Sequence, residues 1–283
     1  MLDDPISKHD AAMPLAEERI GVSACGRVGV AISLVMRNFY KPQRPDMLDD
    51  AIPKQDAAMP LSENADTPIR RYADSFPPAP IRRYADTFPL VAIVPAAGMS
   101  VRMGQNKLLL TFKGKPLIAH AVDTLLASAV DEVVVVLGHD ADKVREKLRG
   151  KKVKFVENPD YREGLSTSVR AGIAAVSAHA SAIMIHLADQ PLLAPEEINS
   201  LIRAFAEARK LNKSIVVPFF RGRRGNPVIL DSAYNEAILD VAGETGCRRV
   251  IRRNPDQVFV VEMENDHAVR DADTMEDYER LVS

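Results

Sequence analysis

The 283-residue sequence predicts an α/β fold, a doubly wound domain over residues 90–283 with helices on both faces of a mostly parallel sheet. It also predicts a largely disordered extension over residues 1–89. Three features carry this reading. From residue 90 onward, β-rich runs alternate with helical patterns. The runs are nearly continuously apolar, as strands covered on both faces are. The first 89 residues, by contrast, are Pro- and Asp-rich and poor in periodic apolar positions.

The strands are expected at "LVAIVP" (90–95), "DEVVVVLG" (131–138), "KVKFVEN" (152–158), "AIMIHLAD" (182–189), "SIVVPFF" (214–220), "NPVIL" (226–230) and "QVFVVEM" (257–263). Each is short, rich in Val, Ile or Phe, and bounded by turn-forming residues. Helices are expected at 116–128, 141–150, 167–180 and 195–210, where apolar residues recur at helical spacing. Pro116 and Pro195 suit first-turn positions, where a missing N–H costs nothing. In such sheets ligands gather at the carboxyl ends of the strands.

The N-terminal region repeats itself. "MLDDPISKHDAAMPLAE" at residue 1 returns as "MLDDAIPKQDAAMPLSE" at residue 47, and "PIRRYADSFP" at residue 68 returns as "PIRRYADTFP" at residue 80. Two copies of pieces this short do not make a stacking architecture, which needs three or more core-burying units. The "RRY" pairs are either docking points for a partner or acidic surface, or simply solvated charge. A local duplication of coding sequence would leave the same pattern.

Composition narrows the function classes. A net charge of −2 with 27% charged residues lacks the basic excess of a nucleic-acid binder. Cys25 and Cys247 are too few for a disulfide framework, which points to a reducing cytoplasm. The apolar stretch 20–36 is broken by Arg27, glycines and serines, so no membrane span is expected there, and it fits a secretory signal poorly.

The loop after the first expected strand, "PAAGMSVRMGQNK" (95–107), runs toward a helical segment, a position that attracts anions. It is neither a P-loop nor a dinucleotide fingerprint: five residues separate Gly98 from Gly104, the lysine lies three further on, and only one glycine precedes Met99. Asp140, after the second strand, reads as a helix cap. What remains is small residues, Ala96, Ala97 and Gly98, that allow close backbone approach, followed by Arg102 and Lys107. Two cations framing such a loop suit a triphosphate, and they equally suit a solvated surface loop.

The blocks "VPAAGMSVRMGQNKLLLTFKGKPLI", "NPDYREGLSTSVRAGI", "LADQPLL", "GNPVIL", "GETGCRRVI" and "DADTMEDYERL" occur in this order. Together they resemble the nucleotidyltransferases similar to the molybdenum cofactor guanylyl- and cytidylyltransferases, and the likeness covers residues 91–283 and none of 1–89. The resemblance implies a Rossmann-like three-layer α/β/α domain, a nucleoside triphosphate substrate, magnesium (Mg2+), and nucleotidyl transfer with release of pyrophosphate.

Within that resemblance Asp189 matches the magnesium aspartate, at the carboxyl end of a buried strand. His186, three residues earlier, reads as a neutral, hydrogen-bonded histidine of the sheet. Asp273 stands three residues before Glu276 and resembles a helix cap, which leaves Asp271 as the second metal ligand. Gly164, Ser166 and Ser168 are expected at the nucleotide, with a serine N-cap as the competing role for either hydroxyl. The "GNPVIL" and "GETGCRRVI" blocks frame the acceptor, with departures from the family at Glu244 and Cys247. Cys247 reads as a buried apolar residue; Arg248 and Arg249 read as phosphate contacts or as an exposed helix face.

The pair Ala96–Ala97 resembles the cytidylyltransferase branch, so CTP is expected ahead of GTP or another triphosphate, with molybdenum-bearing molybdopterin as acceptor. Arg102, Lys107 and Asp189 are the expected catalytic residues. The alternatives are a related transferase acting on a sugar or alditol phosphate, an oxidoreductase, and a non-catalytic maturation factor delivering cofactor to a molybdenum hydroxylase partner. The missing dinucleotide fingerprint counts against the oxidoreductase.

Overall fold

The structure, a computed structural model, describes residues 70–71, 88–176, 180–240 and 247–283. The expectations for residues 1–89 therefore lie outside the described residues, apart from Arg70–Arg71 and Phe88–Pro89. The strands are β1 (Arg70–Arg71), β2 (Leu90–Ala96), β3 (Thr111–Phe112), β4 (Lys115–Pro116), β5 (Glu132–Leu137), β6 (Lys154–Glu157), β7 (Ala182–Ile185), β8 (Ile215–Phe220), β9 (Arg223–Arg224), β10 (Val228–Asp231) and β11 (Val258–Glu262). The α-helices are α1 (Leu117–Leu126), α2 (Ala141–Lys147), α3 (Leu165–Ala175), α4 (Pro195–Lys210), α5 (Asn235–Leu239), α6 (Arg248–Arg253) and α7 (Met275–Val282). Among the described residues no helix is long and apolar enough to cross a membrane.

The main sheet has the order β1-β11-β8-β10-β7-β2-β5-β6, with β9 paired to β8. It is parallel except for β10, which runs antiparallel to both β7 and β8, and for the β8–β9 hairpin. The reason is local. Arg221 and Gly222 both have positive φ, 49° and 77°, and make the two-residue turn that reverses the chain into β9. Three residues then lead into β10, far too few for a parallel crossover.

Strand alternation explains the near-continuous apolar runs. Along β2, Leu90, Ala92 and Val94 join a core with Ile118 and Val122 of α1 and Ile198, Leu201 and Phe205 of α4. Val91 and Ile93 face the other way, toward Val169 and Ile173 of α3 and Val250 and Ile251 of α6. Helix α3 lies so close that a Cβ on Gly172 would sit 2.4 Å from Ile93 Cγ2. The chain winds outward from β2 to β5 and β6, then returns to β7 on β2's other side. The carboxyl ends of β2 and β7 thus flank the switch point where open α/β sheets bind ligands.

Several element ends differ from the sequence reading. Strand β7 stops at Ile185, four residues short, which frees the chain carrying Asp189 from strand geometry. Pro195 is the first residue of α4 as expected, whereas Pro116 lies in β4 and precedes α1. No α-helix follows β2 directly: two single 3₁₀ turns, 101–103 and 107–109, occupy that place. The β2 loop therefore has no α-helix dipole to offer an anion.

Candidate nucleotide and metal site

A cleft of about 590 Å³ opens where the β2 loop, the start of α3, the chain after β7 and the C-terminal segment meet. Ala97, Gly98, Arg102 and Lys107 line it, as do Gly164 and Ser168. Ala96 and Ser166 do not: Ala96 is fully buried as the last residue of β2, and Ser166 is buried with its hydroxyl unpartnered. Neither serine is an N-cap, because Gly164 holds that position. Ser168 instead accepts a hydrogen bond from Asn158 Nδ2 at 3.0 Å.

The β2 loop offers backbone donors without a helix. Ser100 and Gly104 both take left-handed conformations, and the Lys107 N–H donates to Ser100 Oγ at 3.1 Å. Among the described residues, the N–H groups of residues 98–102 have no protein acceptor. Gly98 is exposed, with open space where a Cβ would stand. Successive free amides in a bent loop form an anion-binding concavity.

The acids are gathered by the C-terminal segment. The Ala272 N–H donates to the Asp189 carbonyl at 3.1 Å, which lays residues 271–273 along the chain after β7. Leu281 and Ala272 pack with Phe112 and Leu117, and Tyr278 Oη donates to the Thr111 carbonyl at 2.6 Å. Helix α7 is capped by Thr274, whose hydroxyl accepts from the Asp277 N–H while the Asp277 carboxylate accepts from the Thr274 N–H. The expected Asp273 cap is therefore wrong. The box is T-x-x-D, one residue later than expected, and it leaves the Asp273 carboxylate to pair elsewhere.

Asp189, Asp271 and Asp273 each offer a carboxylate oxygen within 4.8 Å of the others. Lys107 Nζ donates to Asp189 Oδ2 at 2.5 Å and to Asp273 Oδ1 at 2.7 Å. Arg102, on the exposed side, reaches Asp273 Oδ2 at 3.6 Å. Burial alone would lower the Lys107 pKa, but the two acids outweigh it and hold the ammonium above its ordinary value. Burial likewise acts to raise Asp273, and Lys107, helped by Arg102 and Arg248, reverses this to a net lowering. Asp271 has no such partner: burial first, then the charges of Asp189 and Asp273, push it up to about 6.

The donor set fits a hard divalent cation. Asp189 Oδ1 is buried and unpartnered, so one strong acceptor is left unsatisfied in a site of three carboxylates. His186 takes no part. It is fully buried just past β7 with both ring nitrogens unpartnered, and burial pushes its pKa down to about 4, so it is neutral as expected but not hydrogen-bonded. Asp140 stands at the N-cap position of α2 without capping it, since its carboxylate pairs with Lys143 at 2.8 Å.

Other cleft residues escaped the sequence reading. Tyr161 lines the wall with Arg162 stacked 4.7 Å from its ring. It sits tight against Gly138, where a Cβ would lie 2.7 Å from Tyr161 Cβ and 2.6 Å from Ala97 Cβ. Arg224 and Asn226 also line the cleft. Cys247 is buried there, its thiol pushed up to about 12 by burial, an inert wall residue as expected. Of the two arginines after it, Arg248 lines the cleft and Arg249 does not. Glu244 lies outside the described residues.

Comparison with known proteins agrees with this geometry. Residues 92–258 match the model of the MobA-like NTP transferase domain. The chain is 31% identical over 198 residues to a nicotine blue oxidoreductase of Paenarthrobacter nicotinovorans, an alignment covering 68% of this chain and 96% of the relative. It is 26% identical over 190 residues to the molybdenum cofactor cytidylyltransferase of Escherichia coli, covering 66% and 92%. Among solved structures, a nucleotidyl transferase from Methanothermobacter thermautotroptrophicus superposes with a TM-score of 0.57 at 26% identity, covering 68% of this chain and 95% of that one. A three-layer α/β sheet, a glycine-bearing loop at its switch point and a family match over more than half the chain lead to one conclusion: this is a nucleotidyltransferase, and the chain belongs to the MobA-like NTP transferase family.

Proposed function

We propose that the protein transfers CMP from CTP to the phosphate of molybdenum-bearing molybdopterin. An oxygen of the acceptor phosphate attacks the α-phosphorus of CTP, the bond from that phosphorus to the bridging oxygen breaks, and pyrophosphate leaves. The observation that carries this reading is the Asp189–Asp271–Asp273 group joined to the β2 loop through Lys107. Such a reaction asks the protein mainly for positioning and charge neutralisation.

Asp189 and Asp271, with Asp273 beside them, would hold Mg2+, which supplies charge neutralisation on the reacting phosphates when bound. The chain's own residues do the rest. The free amides of 98–102 and the Arg102 guanidinium face the triphosphate. Lys107 has three ammonium donors; two go to Asp189 and Asp273, and the third is left for a phosphoryl oxygen. Ala97, buried against the Gly138–Tyr161 wall, adds a methyl beside the base, which favours cytosine over the larger guanine. The family resemblance and the cytidylyltransferase relative support the acceptor, and a sugar or alditol phosphate is the alternative.

The test is to incubate the protein with magnesium, each nucleoside triphosphate in turn, and molybdenum-loaded molybdopterin, and to measure pyrophosphate. Release with CTP alone is expected. Release only with another acceptor moves the reading to a sister transferase, and tight cofactor binding without turnover makes the protein a carrier. The oxidoreductase name of the 31% identical relative favours a second reading, reduction of a heterocycle by a nicotinamide cofactor. The absent glycine fingerprint opposes it, and so does a carboxylate group that hydride transfer does not need. Oxidation of NADH or NADPH in the presence of a heterocyclic acceptor would revive it.

A further inference from the structure

One stretch of the cleft wall carries a charge that nothing in the described residues answers. Arg224, in β9, lines the cleft beside Asn226 and Arg248. Its Nε is buried and has no acceptor, and among the described residues the side chain makes no hydrogen bond or ion pair. The charged side chains that act on it, Arg248 and Arg252, are alike in sign. Burial first, then those arginines, bring its pKa down to about 10, so it remains a cation at neutral pH.

The platform under it is rigid. The Gly225 N–H donates to the Pro218 carbonyl and the Asn226 N–H to the Ala268 carbonyl, each at 2.8 Å. A Cβ at Gly225 would meet the Ala268 oxygen at 2.4 Å, so only glycine fits between the arginine and the asparagine. A mostly buried cation that no described residue pairs is costly, and a fold that fixes it so firmly holds it for something. A guanidinium fork, a side-chain amide and a second arginine make a set of donors that matches a phosphate.

We propose that Arg224, with Asn226 and Arg248, is the subsite for the phosphate monoester of the acceptor. The same chemistry could meet the nucleotide's own phosphates. The acceptor is favoured because Arg102, Lys107 and the free amides of the β2 loop already serve a triphosphate, whereas Arg224 comes from a different hairpin. The assignment to the acceptor rests on the transferase reading; the binding of phosphate does not.

Two measurements decide it. The first is calorimetric titration with inorganic phosphate at low ionic strength, using wild type, Arg224→Met and, as a control outside the cleft, Arg249→Ala. Arg224→Met should weaken phosphate binding by roughly 10- to 100-fold, the worth of charge-assisted hydrogen bonds. Arg249→Ala, which removes the same charge outside the cleft, should bind phosphate as wild type does. Without phosphate, Arg224→Met should melt at or above the wild-type temperature, because an apolar chain replaces an unanswered charge. Unchanged phosphate affinity, or a lower melting temperature with phosphate affinity retained, overturns the proposal. Should Arg224→Met not fold, Arg224→Lys keeps the charge without the fork and should bind phosphate less well than wild type; equal binding overturns it.

The second measurement is steady-state kinetics with CTP and molybdenum-loaded molybdopterin. Arg224→Met should raise the KM for the acceptor and leave that for CTP unchanged. A rise for CTP with the acceptor unaffected would assign the arginine to the nucleotide tail and overturn the proposal. If no triphosphate yields pyrophosphate at all, the transferase reading falls, and the phosphate titration still decides whether Arg224 binds phosphate.

Discussion

Two stretches of the same cleft wall handle charge in opposite ways. Around Asp189 the protein largely answers itself: the half-buried Lys107 ammonium pairs with Asp189 and Asp273, the exposed Arg102 reaches Asp273, and Asp271 alone of the three acids has no such partner. Around Arg224 no described residue answers the charge: its Nε is buried without an acceptor, and the charges that act on it, Arg248 and Arg252, have the same sign. The first arrangement is a preorganised electrostatic centre whose protein charges already lie in place before any ligand arrives. In the second no described residue supplies the counter-charge, which on our proposal comes from an anion outside. The contrast teaches that a cleft can separate its tasks by how completely each part is neutralised within the chain, and the substitutions at Asp189, Lys107 and Asp271 below test the self-neutralised side.

The largest effect is expected at Asp189. Asp189→Ala removes the most buried of the three acids and the one unpartnered oxygen best suited to a cation. Turnover should fall by at least about 10³-fold, with far-UV circular dichroism unchanged, as the loss of a preorganised electrostatic group predicts. Activity within tenfold of wild type (roughly 1.4 kcal/mol) would remove the carboxylate from the chemistry.

Lys107→Met comes next. It strips the ammonium from Asp189 and Asp273 and leaves like charges facing one another in a partly buried site. We expect about a 10²-fold loss of pyrophosphate release, together with a lower melting temperature that added manganese partly restores. A stability loss that manganese leaves untouched would mean the lysine is a packing residue and that the acids do not gather a cation.

How much of this is legible in the sequence depends on how local each feature is. The parallel sheet is readable because two-sided burial writes itself into β2 and β5 as unbroken apolar runs. The antiparallel β10 is not, because its direction is set by the Arg221–Gly222 turn and not by its own composition. Arg102, Lys107 and Asp189 are readable as motif positions, and the structure brings Lys107 and Asp189 into contact across 82 residues of chain. Asp273 misleads through a shift of one residue in the capping box, although Thr274 with Asp277 three residues on is there to be weighed. Ser166 and Ala96 point to the nucleotide by block alone; which way each faces depends on how α3 and β2 sit, which spacing does not report. Arg224 leaves no signal, since an arginine pair in a hairpin reads as solvated until burial and the lack of a partner are seen.

Gly138→Ala probes the neutral wall beside the β2 loop, at the ends of β2 and β5. Its new methyl would press on Ala97 and Tyr161 Cβ atoms at separations well below contact. Overpacking of this kind costs about 1–3 kcal/mol, read as a fall in the urea midpoint. Because the Arg224 platform is pinned elsewhere, by Ala268 and Pro218, phosphate binding in the titration above should not change. A loss there would show that the wall and the platform move as one unit.

The smallest expected effect, and the sharpest test of self-neutralisation, is the pH dependence of Asp271. Its pKa of about 6 lies above the ordinary value of an aspartate, which is also its value in the unfolded chain. A raised acid pKa means that the folded state holds the proton more tightly than the unfolded state does. Stability from this group is therefore full at low pH, begins to fall as pH rises past the unfolded value, and is lost by the time pH passes about 6. Asp271→Asn removes that loss. In metal-free buffer with chelator, the variant and wild type should melt closest together near pH 4, and the variant should gain on wild type as pH rises to 7. The sign matters more than the size: groups remote from Asp271 cancel in the difference, whereas Asp189, Asp273 and Lys107 are coupled to it. A gap that stays flat across that range, or that favours wild type at pH 7, would mean that Lys107 already neutralises all three acids and that Asp271 has no unmet charge to offer a cation.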